Sequence, residues 1–218
     1  MESIRIALTK GRLEKDAIGI FDGIGIDTTE LKNKGRKLIL RSDNYPVEFV
    51  LAKAQDVITY VEHGVVDMGI VGKDTILENT PDFYEVIDLN KGKCFFALAS
   101  LESFRFIPNF KRKVIATKYP KVAHDYFREK GEDVEIIKIE GSVELAPILG
   151  LADAIVDIVE TGTTLKENGL IIFDKICDIS ARLIVNKASM KMKKNIVLDL
   201  VDKIENFLNS SEGEANND

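Results

Sequence analysis

Short apolar runs recur along this 218-residue chain with helix-spaced segments between them, and that alternation leaves few folds open. Residues 4–8, 37–40, 47–52 and 65–71 read as strands, and residues 13–21 and 54–63 carry helical spacing. The cluster Ser42-Asp43-Asn44-Tyr45-Pro46 is a turn signal, Gly64 stops the second helix, and Asp74 is placed to cap a short helix. A second series starts near Cys94, with strands expected over 94–99, 114–116, 134–139 and 154–159 and helices over 122–130 and 142–149. Strand-like stretches at 171–173 and 182–185 follow. A final helix over 189–208 then puts Ile196, Val197, Leu200, Val201 and Ile204 on one stripe. Strand–helix alternation implies parallel strands joined by crossover helices, hence an α/β protein.

The length suits two modest lobes rather than one large domain. The expected layout is two α/β lobes around a central cleft, in the manner of two-lobed periplasmic binding proteins. Residues 1–90 with about 178–208 form the first lobe and 91–177 the second, which carries the loop described next. Residues 209–218 lack apolar anchors and are expected to be a disordered tail. A net charge of -6 argues against a nucleic-acid partner. No apolar run approaches the ~20 residues of a membrane helix, and the N-terminus shows no signal-peptide pattern, so a cytoplasmic location is expected. Cys94 and Cys177 both lie in apolar runs and read as buried free thiols.

The segment Ala154-Ile155-Val156-Asp157-Ile158-Val159-Glu160-Thr161-Gly162-Thr163-Thr164-Leu165 joins an apolar strand to a helix start through small residues. Such a loop offers a phosphate several backbone N–H groups, and its threonines add hydroxyl donors. Asp157 and Glu160 suit a sugar hydroxyl or a metal-bound water, since they would repel the phosphate itself. The segment thus reads as a cradle for a phosphorylated sugar, against the plainer alternative of a strand-to-helix turn with a threonine N-cap. Lys10-Gly11-Arg12 follows the first strand, where open α/β sheets bind ligands, and Gly35-Arg36-Lys37 precedes another strand. Lys53, Lys73 and Lys118 also stand at strand ends, and each alone reads as a surface charge. In Asp67-Met68-Gly69-Ile70-Val71-Gly72, Gly69 is suited to close backbone packing. In Gly141-Ser142-Val143-Glu144, Ser142 is expected to cap a helix, setting Glu144 in its first turn for ribose hydroxyls. His63 and His124 read as surface residues. No metal-ligand spacing, Walker loop or nucleophile elbow occurs, which favours a reaction driven by positioning and electrostatics.

Taken together these residues resemble the ATP phosphoribosyltransferases. The resemblance is carried by Glu144, Gly150, Ala152, Ile155, Asp157, Thr161-Gly162, Thr164 and Leu165. Leu8-Thr9-Lys10-Gly11-Arg12, Gly35-Arg36-Lys37-Leu38, Tyr60-Val61-Glu62-His63-Gly64, Ala116-Thr117-Lys118-Tyr119-Pro120 and Arg182-Leu183-Ile184-Val185-Asn186 add to it. It runs from Ile4 to about Leu208 and stops where long-form enzymes continue into a regulatory domain, so the short form is implied. The wider phosphoribosyltransferase group carries two adjacent acids before its loop, where this chain has Asp157-Ile158. Lys53 stands where many relatives have arginine and is given no role.

The resemblance implies transfer of a 5-phosphoribosyl group from its pyrophosphate to N1 of ATP, with pyrophosphate released, as the first step of histidine biosynthesis. It implies Glu144, Asp157, Thr161, Gly162, Thr163 and Thr164 for phosphoribosyl pyrophosphate and Lys10, Gly11 and Arg12 for ATP. Lys10, Arg12 and Arg36 are implied for catalysis, and substrate-bound Mg2+ needs few protein ligands. A homodimer is implied, with a further hetro-oligomer containing a histidyl-tRNA-synthetase-like regulatory subunit, and neither nucleic acid nor membrane as partner. The rival readings are a two-lobed protein that binds a small anion without catalysis and a phosphoribosyltransferase with another acceptor base.

Overall fold

The computed structural model describes residues 3–104 and 112–215, and its chain divides into two compact units. Unit 1 comprises Met1–Ile76, Thr80–Gly92 and Ser180–Asp218, and unit 2 comprises Leu77–Asn79 and Lys93–Ile179. Both are α/β.

In unit 1 the order begins β1 (Ile4–Thr9), α1 (Arg12–Gly23), α2 (Thr29–Lys32), β2 (Ile39–Arg41) and β3 (Val47–Ala52). It continues α3 (Ala54–Glu62), β4 (Met68–Gly72), α4 (Lys73–Glu78) and β5 (Tyr84–Asp88). The chain then builds β6 (Cys94–Leu101), β7 (Lys113–Thr117), α5 (Pro120–Glu129), β8 (Val134–Lys138) and α6 (Leu145–Ile148). After β9 (Ala154–Val159), α7 (Thr163–Glu167) and β10 (Leu170–Ile179) it returns to unit 1 as β11 (Ala181–Val185), α8 (Lys187–Met192) and α9 (Lys194–Ala215).

The six-stranded sheet of unit 1 has the order β2-β3-β1-β4-β11-β5, and the five-stranded sheet of unit 2 has β10-β6-β9-β7-β8. Both are mixed, which corrects the expectation of parallel strands. β3, β1 and β4 are parallel, whereas β2 and β11 run against their neighbours; β9, β7 and β8 are parallel, whereas β6 runs against both β9 and β10. Side-chain periodicity reports which residues face a core and is silent on strand direction.

One face of the first sheet is covered by α1 and α9. Ala17, Ile20 and Phe21 meet Val197, Leu200, Val201 and Ile204 over Ile4, Ile6, Leu8 and Phe49. The other face packs Val57, Ile58 and Val61 of α3 on Ala7, Val71 and Ile184. Gly69 makes that approach possible, because a Cβ there would lie 2.7 Å from Val57 Cγ1 and 3.0 Å from Val61 Cγ2. Gly69→Ala is therefore expected to lower the unfolding free energy by about 1–3 kcal/mol. Urea titration checks this, and an unchanged midpoint would mean that α3 yields freely.

The expected final helix is two helices. Asn186 caps α8, its side-chain oxygen accepting the Ala188 and Ser189 N–H groups. The break falls at Lys193, whose ammonium reaches Asp67 Oδ2 and the Ser3 carbonyl, both at 2.9 Å. Asp67 is buried and also receives the Arg5 N–H at 2.8 Å and the Ser189 hydroxyl at 2.7 Å. Residues 209–215 are helical rather than a disordered tail, with the Ser210 and Ser211 hydroxyls donating to the Phe207 carbonyl. Residues 216–218 of that expected tail, and residues 1–2, lie outside the described residues. Cys94 and Cys177 are half-buried rather than buried, and both histidines are exposed.

Candidate functional site

In unit 1 the parallel strands β3, β1 and β4 each run into a lysine: Lys53, Lys10 and Lys73. These cations share the carboxyl edge of the sheet, the edge at which open α/β sheets bind ligands. The Lys10 N–H donates to the Ala52 carbonyl at 3.0 Å, and the Thr9 hydroxyl donates to the Ile70 carbonyl at 2.9 Å, which ties the three strand ends together. Gly11, at φ 104°, turns the chain into α1 with Arg12 as its first residue. That backbone conformation favours glycine. Lys10, Gly11 and Arg12 are all exposed.

Antiparallel β2 brings the second basic site to the same edge. Ile39 pairs with Val50, and the Leu51 N–H donates to the Leu38 carbonyl at 2.8 Å, so the turn before β2 stands at the end of β3. Arg36 is exposed there, while its neighbour Lys37 is held by Glu30 at 2.7 Å. Sequence reasoning missed the clamp that fixes this turn. Lys34 is paired with Glu14 of α1, which is 5% exposed, and so fastens the Arg36 turn to the helix that starts at Arg12. The signal was a lone acid two residues after Arg12 on an otherwise apolar helix face. Lys73 is committed elsewhere: it meets Glu85 at 2.6 Å in a group where Arg182 meets Asp88 at 2.9 Å.

In unit 2, β9 ends at Val159 and the loop passes through Thr161 to Gly162, at φ 77° and ψ 0°, before the single turn of α7. The left-handed glycine is the N-cap, so no threonine holds that position, although the Thr161 hydroxyl just before it accepts the Thr163 N–H at 3.4 Å. The threonine hydroxyls instead gather: Thr161 Oγ1 and Thr163 Oγ1 are 3.0 Å apart. Thr163 and Thr164 are exposed while Leu165 is buried, so Leu165 anchors the turn and leaves its polar side outward. The first N–H groups of a helix have no carbonyl of their own helix to bond.

Asp157 precedes this loop on β9. It is half-buried, and its Oδ1 accepts the Ile158 N–H at 2.8 Å. Burial pushes its carboxyl up from the usual carboxylate range, with the Glu144 charge adding to the rise and Lys118 opposing it. Glu144 therefore stands within electrostatic reach of Asp157. Its setting differs from the sequence expectation, though. Ser142 is not a cap; Glu144 itself is the N-cap of the one-turn helix α6. Pro147 and the left-handed Gly150 keep that helix short.

The raised Asp157 carboxyl fixes a pH dependence. The folded chain holds the extra proton, so stability falls as pH rises from the ordinary carboxylate range through the raised value. At neutral pH the ionised, half-buried group is destabilising. Asp157→Asn is expected to raise the thermal midpoint at about pH 7, with the gain vanishing below about pH 3, where the acid is neutral folded or unfolded. A gain independent of pH in calorimetric scans would contradict this.

Two mixed sheets, each ending in exposed groups suited to anions, place this chain among two-lobed α/β proteins that handle small phosphorylated ligands. The family described as HisG: ATP phosphoribosyltransferase matches residues 53–206. The ATP phosphoribosyltransferase of Clostridium acetobutylicum is 67% identical over 207 residues, covering 95% of this chain and 96% of the relative. That of Clostridium kluyveri is 63% identical over 209 residues, covering 96% and 95%. Among solved structures, the ATP phosphoribosyl transferase (HisG:HisZ) complex from Thermotoga maritima contains a chain 34% identical, with a TM-score of 0.79. That match covers 95% of this chain and 99% of the other. This chain belongs to the ATP phosphoribosyltransferase family.

Proposed function

We infer that this chain catalyses the first step of histidine biosynthesis in the cytoplasm, joining N1 of the ATP adenine to C1 of phosphoribosyl pyrophosphate and releasing pyrophosphate. The observation that carries the reading is the left-handed Gly162 between gathered threonines at the end of β9, in a chain that matches known ATP phosphoribosyltransferases over nearly its whole length. N1 of adenine already bears a lone pair, so no strong base is needed. The barrier lies in bringing two polyanions together and in the charge that grows on the leaving pyrophosphate.

Thr161, Gly162, Thr163 and Thr164 hold the 5-phosphate, and Asp157 and Glu144 accept the ribose hydroxyls. Lys10, Gly11 and Arg12 receive ATP. Lys10, Arg12 and Arg36 balance negative charge on the ATP phosphates or the departing pyrophosphate. Among the described residues no three His, Cys, Asp or Glu side chains form a metal cage. Mg2+ is accordingly assigned to substrate oxygens and water, and no step here runs through it. No helix among the described residues is long and apolar enough to cross a membrane. This chain acting as a homodimer, and with a separate regulatory subunit of the HisZ kind, completes the proposal.

The test mixes ATP, phosphoribosyl pyrophosphate and magnesium with the chain, with and without a HisZ-type subunit. Pyrophosphate release with the absorbance change of N1-ribosylated adenine is expected. Ligand binding without pyrophosphate release would instead favour an anion-binding protein. Faster turnover with another nucleobase would reassign the acceptor.

A further inference from the structure

Lys118 reads from the sequence as a surface charge, and the register of the second sheet gives it a different standing. β7 and β9 run parallel with Ile115 beside Ala154, Ala116 beside Ile155 and Thr117 beside Val156. Ile115 and Ala154 face one core, and Ala116 and Ile155 face the other, which also receives Val143 and Ala146 around α6. Lys118 follows the last paired residue of β7 as Asp157 follows Val156 in β9, both at the step of the alternation that faces the α6 core. Glu144, the N-cap of α6, stands over that same face.

The Lys118 backbone is held in place. The Thr117 side-chain oxygen accepts the Tyr119 N–H at 2.9 Å, and the Tyr119 ring packs edge-on against Phe96 at 4.9 Å. Lys118 Nζ lies 5.9 Å from the Tyr119 ring centroid. Four other lysines of this unit are committed to acids, Lys121 to Asp125, Lys130 to Asp174, Lys138 to Glu140 and Lys175 to Asp178, whereas Lys113 lies over the Phe104 ring. Among the described residues Lys118 closes no ion pair, so its charge is left for the acids of its own face.

We propose that Lys118 is a positioning residue for the phosphoribosyl substrate: its ammonium offsets the repulsion between Asp157 and Glu144, the two acids that accept ribose hydroxyls. The proposal rests on the assignment of those two acids to the ribose. The electrostatics agree in direction, since Lys118 lowers the Asp157 carboxyl while burial and Glu144 raise it. Other charges around Asp157 are accounted for. Across β6 its neighbour is Ala97, and Lys175 beyond that is paired with Asp178. On the β7 side, Glu140 feels Lys118 but is paired with Lys138 at 2.8 Å. Helix α6 itself carries no charged residue after Glu144.

The test measures affinity for phosphoribosyl pyrophosphate by calorimetry from about pH 5.5 to about pH 8 in wild type, Lys118→Met, Lys118→Arg, Asp157→Asn and the Lys118→Met/Asp157→Asn double variant. Lys118 is exposed, so the urea midpoint of its variants should match wild type. Lys118→Met is expected to weaken binding about tenfold at the acid end and only about twofold at the alkaline end. Its acid limb moves up by about one pH unit, and Lys118→Arg restores the wild-type profile. In the Asp157→Asn background, Lys118→Met should add less than about twofold. The substrate's own phosphate titration is common to all variants and cancels in the comparison. A loss independent of pH and equal in both backgrounds would overturn the proposal in favour of direct contact with the substrate, and unchanged binding would overturn it outright. Full affinity in Asp157→Asn alone would instead remove the ribose assignment on which it stands.

Discussion

Gly162→Val is expected to weaken phosphoribosyl pyrophosphate binding by at least about 100-fold, equivalent to roughly 2.7 kcal/mol, while unit 2 stays folded. The cause is conformational rather than steric. A Cβ at this position would find Val159 Cγ1 no closer than 3.8 Å, so there is room for it. The backbone, however, sits at φ 77°, where a β-branched residue is an outlier. The loop relieves that strain by rotating, which separates the Thr161 and Thr163 hydroxyls and turns the first N–H groups of α7 away from one another. The loop is exposed, and Leu165 still anchors the turn, so the unfolding midpoint should move little. Gly162→Asn is the control, because asparagine tolerates the left-handed region and should keep much of the affinity. Titration calorimetry distinguishes the outcomes, and unchanged affinity in the valine variant would refute the cradle.

The second large effect is kinetic. Arg36→Met is expected to lower kcat by about 10²–10³-fold, the range seen when one group that stabilises transition-state charge is removed. Affinity for phosphoribosyl pyrophosphate should change by less than about threefold, because charge on the leaving pyrophosphate is greatest at the transition state. Arg36 is exposed at the turn before β2, so stability should be unaffected. Arg12→Met should show the same split, with some loss of stability as well, since the Arg12 guanidinium lies close against Gly92. Single-turnover rates beside equilibrium binding provide the readout. Equal losses in rate and affinity would count against a leaving-group role for either residue.

Strands β3 and β9 occupy the residues that their apolar patterns mark, because each is bounded by a turn residue or a polar step. Strand β5 was not legible. Tyr84-Glu85-Val86-Ile87-Asp88 is an edge strand, and the packing that makes it one comes from β11, almost a hundred residues later. The break between α8 and α9 was hidden for a similar reason: the buried Asp67 that draws Lys193 out of the helix is distant in sequence. Of the site, the loop and its acid could be read locally, as could the basic turns. Their arrangement along one sheet edge could not, since it depends on β2 running antiparallel. Lys118 is exposed, as a surface charge should be, and only its place just past the end of β7 distinguishes it from any other solvent-facing lysine.

The position of β11 has a consequence for how the molecule is made. It lies between β4 and β5, so two strands synthesised early must wait for a partner that leaves the ribosome about a hundred residues later. In the meantime the nearly contiguous stretch Lys93–Ile179 has all the strands of its own sheet. The half that begins the polypeptide is therefore the half that is completed last, and a nascent chain halted before Ala181 carries a finished second sheet and a first sheet with an open slot.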